Sequence, residues 1–199
     1  MLNDTGAVKT WSSEVKQILE SNNLGSIYDR QILFPLKSTI SKLRSSMYKK
    51  QRELVKVECM SKPKLRTFVT FKDFENISPH IGKPLSFLQR KIISKLRLGI
   101  LPLRIETARY QKPVLPLDQR LCYCESGAIE SEEHLLFQCN KYDSHRHQWF
   151  KKLNVPSNFI GMPIEEKFKL VLNVPENVRP TAQFVIDVMD IRSLINKDY

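Results

Sequence analysis

Between Arg120 and Tyr142 the chain reads RLCYCESGAIESEEHLLFQCNKY, a stretch that holds three of its four cysteines and one of its four histidines. No other segment restricts the fold as strongly. Cys122 and Cys124 are followed by His134 and then by Cys139. A tetrahedral metal site needs four N or S ligands at about 2.0–2.3 Å from one ion. Clustered Cys and His in a chain whose first thirty residues lack a secretory apolar core read as metal ligands, with zinc the expected ion, rather than as disulfides. The competing reading is three small buried thiols beside a surface histidine.

The spacing makes two geometric demands. Residues two apart on an extended strand point to opposite faces, so Cys122 and Cys124 reach one ion only if the backbone bends at Tyr123. Gly127 can take the positive φ that such a turn uses. On a continuous α-helix, positions i and i+5 diverge by about 140°. Cys139 therefore belongs at or just past a helix end, with Asn140 as a stop residue. Glu130, Glu132 and Glu133 favour a helix N-terminus before it, and Leu135, Leu136 and Phe137 offer an apolar cap. His145 and His147 remain open as replacements for Cys122 or Cys124. Cys59 lies far away in sequence and reads as an ordinary thiol.

The rest of the chain reads as helix, so the expected fold class is mainly α: an irregular helical array interrupted by the small Cys/His element. WSSEVKQILESN begins with a Ser pair suited to capping and carries Val15, Ile18 and Leu19 on one stripe. PLKSTISKLRSSMYKKQREL sets Leu36, Ile40, Leu43, Met47 and Leu54 at helical spacing opposite a basic face. Leu65, Phe68, Phe71 and Phe74 fit a short amphipathic helix. LSFLQRKIISKLRL places Leu85, Leu88, Ile92 and Leu96 on one side. Toward the C-terminus, Trp149, Phe150 and Leu153 anchor one helix, Pro163 opens a second, and Phe184, Val188, Ile191 and Ile195 line a third. Four segments are expected: 1–60 helical, 61–117 basic and helical, 118–147 the Cys/His element, and 148–199 helical. No run of about 18 apolar residues suggests a membrane span, and the expected location is intracellular, nuclear or cytoplasmic.

The net charge of +11 is segmental. Lys37 to Arg120 holds 20 Lys and Arg against 6 Asp and Glu, a net of +14, which leaves −3 for the remainder. A basic segment on a near-neutral chain is the footprint of a polyanion partner; a solubilising lysine-rich surface is the bland alternative. Arg90, Lys91, Lys95 and Arg97 concentrate this charge on one helix. No acid is spaced to partner His80 or His145, and no oxyanion motif surrounds the cysteines, so catalysis is not expected.

Three blocks carry a resemblance. KLRTFVTFK (Lys64 to Lys72), LRLGILPLRIETARY (Leu96 to Tyr110) and RLCYCESGAIESEEHLLFQCNKYDSHR (Arg120 to Arg146) resemble the C-terminal region of non-LTR (LINE-type) retrotransposon reverse transcriptases, which ends in a zinc-knuckle domain. The last block matches at Arg120, Cys122, Cys124, Glu130, Glu132, His134, Cys139, Tyr142 and Arg146. The departures are a first Cys pair one residue closer than the family pattern, Leu101 in place of His, Ala108 in place of Gly, and Ser131 in place of Asp.

The resemblance implies that Cys122, Cys124, His134 and Cys139 bind zinc. It also implies that Arg97, Arg109 and Arg120 belong to a nucleic-acid-facing surface. With the basic helix, and with Arg104 and Arg146 inside the matching blocks, the candidate surface comprises Arg90, Lys91, Lys95, Arg97, Arg104, Arg109, Arg120 and Arg146. Tyr110, Tyr123 and Tyr142 are candidates for stacking on unpaired bases. The implied partner is RNA or target DNA, with a reverse transcriptase body supplied in trans. No polymerase or endonuclease motif is present in this sequence, so the expectation is a non-catalytic module. A protein-interaction domain and a non-functional relic are the alternatives.

Overall fold

The computed structural model describes residues 10–30, 35–72, 74 and 76–195; residues 1–9 of the first expected segment and 196–199 of the last lie outside them. The chain is mainly α, and among the described residues the only β pairing is one isolated antiparallel bridge, Leu121 with Ile129. Among the described residues no helix is long and apolar enough to cross a membrane. The chain divides into two compact units, Met1–Glu58 and Cys59–Tyr199. The three later sequence segments thus share one body, with the Cys/His element built into its core.

The first unit contains α1 (Trp11–Ser21), α2 (Gly25–Arg30) and most of α3 (Leu36–Met60). The cap of α1 is Thr10 rather than the Ser pair: its hydroxyl accepts from the Ser13 N–H, and the Ser13 side chain returns the bond to the Thr10 N–H. A reciprocal box satisfies two orphan donors at once, and no single cap does that. Tyr28 of α2 is buried. The helix expected from Leu36 to Leu54 is present as α3 and runs 25 residues, yet none of its residues is buried. Its apolar stripe faces solvent instead of a core.

The second unit continues through α4 (Arg66–Phe71), α5 (Pro79–Gly82), α6 (Phe87–Leu98), α7 (Arg104–Thr107), α8 (Asp143–Phe150), α9 (Ile164–Asn173) and α10 (Pro175–Ile195). Its core joins Ile93 and Leu96 of α6, Val171 and Leu172 of α9, and Val178 and Val185 of α10 to Leu135 and Leu136 of the Cys/His element. Trp149 stacks on Phe184 with centroids 4.4 Å apart, tying α8 to α10. Pro163 caps α9 instead of opening it. α10 begins earlier than expected, at Pro175, and holds Pro180 within it.

The face of α6 is rotated from the expected one. Ile93, Leu96 and Arg97 are buried, whereas Leu88 is exposed. The helix is capped by a Ser86/Gln89 box and stops at Gly99, whose φ is 67°. A Cβ there would lie 3.2 Å from Thr67 Oγ1 and 3.4 Å from the Lys64 carbonyl. Gly99 thus serves both the left-handed stop and the close approach of the α4 segment.

Candidate metal centre and its basic surroundings

Cys122, Cys124, His134 and Cys139 converge, with all four potential ligand atoms within 4.8 Å of one another and all four residues buried. The Cys122 and Cys139 sulfurs are 3.8 Å apart, and Cys124 Sγ lies 3.2 Å from His134 Nε2. The quartet can hold a metal ion. Cys59 is a free thiol elsewhere in the chain. His145 and His147 stay outside the cluster: their Nδ1 atoms contact Ser144 Oγ and the Asp143 carbonyl along α8. The cluster thus includes both cysteines of the C-x-C pair and neither His145 nor His147.

Two local distortions bring the four together. The first follows the Leu121–Ile129 bridge. The Cys122 N–H donates to the Ala128 carbonyl at 2.8 Å, and the Glu130 N–H donates to the Arg120 carbonyl at 2.9 Å. Inside this short loop Glu125 has φ 61° and Gly127 has φ 73°. The turn at Tyr123 and Cys124 breaks the extended alternation, so that both sulfurs reach one place, and the two left-handed residues carry the chain back to Ile129.

The second distortion is a π-helical turn, His134–Gln138. The Cys139 N–H donates to the His134 carbonyl at 2.8 Å, an i to i+5 bond. The wider turn returns the fifth residue toward the face of the first, which an α-helix does not do. Cys139 then leaves the helix with φ −63° and ψ 119°, as the spacing requires. Asn140 does not stop the chain; it opens a 3₁₀ turn, Asn140–Tyr142, that leads into α8.

The thiols are electrostatically coupled. The hydrogen bond to Cys139, and after it burial, pushes the Cys122 thiol up, while the same bond pulls Cys139 below its usual value. His134 Nδ1 is buried without a hydrogen-bond partner among the described residues.

Buried ions clamp the element from both sides. Glu130 receives a two-point contact from Arg192 of α10, at 2.6 and 2.8 Å, and accepts the Arg104 N–H at 2.6 Å. Glu132 accepts from Arg66 of α4 at 3.0 Å and from Thr67 Oγ1 at 3.2 Å. Both carboxylates are essentially inaccessible. Arg192 escapes sequence reasoning altogether, because nothing in a separation of 62 residues signals its pairing with Glu130.

Three of the eight candidate nucleic-acid residues are corrected by their burial. Arg146 donates to the Leu136 carbonyl at 2.9 Å, to that of Cys139 at 2.6 Å and to that of Leu135 at 3.4 Å, and pairs with Asp143. It serves the carbonyls that the π turn leaves open. Arg120 donates to the carbonyls of Ile105 and Leu115. Arg97 donates to the Leu172 carbonyl, Ser78 Oγ and Asn173 Oδ1, and lies over the Phe71 ring; burial lowers its guanidinium to about 10. These arginines hold backbone together and present no donor array to solvent.

The other five are more accessible. Lys91 is exposed, and Arg90, Lys95, Arg104 and Arg109 are half-buried. Arg90 donates to the carbonyls of His80, Ile81 and Lys83, and Arg109 pairs with Glu106 at 3.3 Å. Of the three tyrosines, Tyr142 is buried and unavailable for stacking. The guanidiniums of Arg104 and Arg192 lie 5.2 and 5.7 Å from the centre of the Tyr123 ring, and Tyr110 is exposed. His80 is drawn down to about 4 by burial and then by Arg97, Arg90 and Lys72, so it is neutral near pH 7.

All nine residues that carry the resemblance in the last block are buried. Comparison of the chain with protein-family models, with curated proteins and with solved structures finds no match.

Proposed function

We propose that the chain is a non-catalytic, zinc-stabilised nucleic-acid-binding module, acting with a reverse transcriptase body as its resemblance implies. Zinc is the ion that suits the donors. Three thiols and one imidazole form a closed Cys₃His set typical of structural zinc. A tetrahedron with metal–sulfur bonds of about 2.3 Å has sulfur–sulfur edges of about 3.8 Å, which matches the 3.8 Å between Cys122 and Cys139. The four protein ligands fill the coordination shell, so the ion's contribution is to fold the element rather than to activate water.

The observation that carries the nucleic-acid reading is the outer face of α3. Lys42, Lys49 and Lys56 recur every seven residues, Arg52 lies between the last two on the same side, and all four are exposed. At a rise of 1.5 Å per residue this stripe extends for about 21 Å. A line of cations of this length suits a phosphate backbone and carries no base specificity by itself. Lys91 and Lys95, one turn apart on α6, form a smaller basic site on the second unit.

Binding to single-stranded RNA and to a DNA duplex, measured at several salt concentrations, tests the proposal. The expected result is a steep loss of affinity with salt. Replacing Lys42, Lys49 and Lys56 together by Ala should reduce the log–log slope by about 2–3, since each phosphate neutralised contributes about 0.7–0.9. A flat salt response in the native chain, or an unchanged slope in the triple variant, would refute it.

A further inference from the structure

The solvent-facing stripe of α3 has a period of its own. Leu36, Ile40, Leu43, Met47, Lys50, Leu54 and Val57 follow one another at alternating steps of four and three. This mean spacing of 3.5 residues defines a left-handed coiled-coil seam, whereas a helix lying on a globular core follows 3.6. Apart from Leu43, which is half-buried, the apolar members are 39–70% exposed. In proteins most helical stability comes from packing an amphipathic face, and a seam that is apolar at six of its seven positions along 22 residues is a surface that a partner covers.

From this seam we infer that α3 is a dimerisation helix, which pairs with α3 of a second copy as an antiparallel two-stranded coiled coil. Charge selects both the partner and the direction. In the antiparallel register the seam is self-complementary: Ile40 meets the partner's Val57, Leu43 meets the partner's Leu54, and Met47 meets the partner's Lys50. On the flank, Lys37 faces the partner's Glu58 on both sides of the two-fold axis, and Arg44 faces the partner's Gln51. The parallel alternative stacks Lys50 on the partner's Lys50 and sets Glu53 across from the partner's Glu58. Like charges at those positions are repulsive. A two-fold axis returns the same patch to itself, as a closed dimer requires.

Lys50 is the single polar residue in the seam. Its stem can cover the partner's Met47 while the ammonium reaches solvent, and a lone polar core position fixes register at a cost in affinity. Lys42, Lys49 and Lys56 occupy outward positions, so pairing leaves the basic stripe uncovered. The dimer does not depend on the nucleic-acid reading.

Sedimentation equilibrium of the full, metal-loaded and nuclease-treated chain, in salt high enough to prevent bridging by nucleic acid, tests the proposal. A reversible dimer is expected. Met47→Lys, which sets like charges against the partner's Lys50 at the centre of the seam, should make it monomeric with unchanged metal content, and Lys50→Leu should tighten it by about tenfold or more. Lys37→Glu and Glu58→Lys should each weaken the dimer, and the double variant should regain affinity, which only the antiparallel register allows. If both the native chain and Lys50→Leu remain monomeric at the highest concentration reached, or if the dimer survives Met47→Lys, the proposal fails. Without recovery in the double variant, the antiparallel arrangement is wrong.

Discussion

Arg192→Met is expected to destabilise the second unit by about 3–5 kcal/mol, because removal of one partner from a buried ion pair leaves the other uncompensated. Glu130 would keep only the Arg104 N–H as a donor, in a site with almost no water access. The pair also joins α10 to the Cys/His element, so the loss falls on packing between parts far apart in sequence. Exchange of both residues for Met should recover much of the stability, since an apolar pair pays no desolvation cost. Recovery stays incomplete because the Arg104 N–H then lacks its acceptor. The measurement is urea unfolding in excess zinc, followed by Trp149 fluorescence in a Trp11→Phe background, which isolates the second unit. A shift below about 1 kcal/mol, the scale of an exposed pair, would mean that the ions are not buried in solution.

Loss of the metal is expected to have a still larger effect. Structural zinc contributes apparent binding free energies of about 10–16 kcal/mol in isolated elements at pH 7. The loop around Tyr123 and the π turn bear unusual backbone geometry that the ligands hold in place. Purified chain should contain one zinc. Cys122→Ser and Cys139→Ser should both lose it, whereas Cys59→Ser should keep it, since Cys59 lies outside the quartet. On chelation, the amides of Cys122, Glu130 and Cys139, each hydrogen-bonded within the element, should lose protection from hydrogen exchange. Native chain purified without metal, with those amides still protected, would remove the basis for a structural zinc.

The four clustered residues were legible because metal chemistry restricts residue type and spacing more tightly than propensity does. Sequence reasoning also located both places where the backbone has to yield. It did not find how the second one yields, because an i to i+5 turn has no residue signature and emerges only once Cys139 is held against His134. The arginines misled for a different reason. A cation defaults to solvent unless several acceptors await it, and the open carbonyls of Leu135, Leu136 and Cys139 exist only in the finished fold. In α3 the helical spacing of Leu36, Ile40, Leu43, Met47 and Leu54 is legible, but spacing alone does not say what covers the stripe. Inclusion of Lys50 and Val57 exposes the 3.5-residue period, and with it a seam that needs another helix.

The clamps on Glu130 and Glu132 have a kinetic side. The Cys/His quartet spans 18 residues, from Cys122 to Cys139, whereas the pairs to Arg192 and Arg66 close separations of 62 and 66 residues. Loop-closure entropy rises with the logarithm of length, so the ligand segment is the cheapest of the three to assemble. Its two carboxylates then stand ready, at fixed positions, to receive a helix from the N-terminal side and another from the C-terminal side. The element thereby shortens the conformational search of two distant parts of the chain, since a contact already formed reduces the loop that each later one has to close.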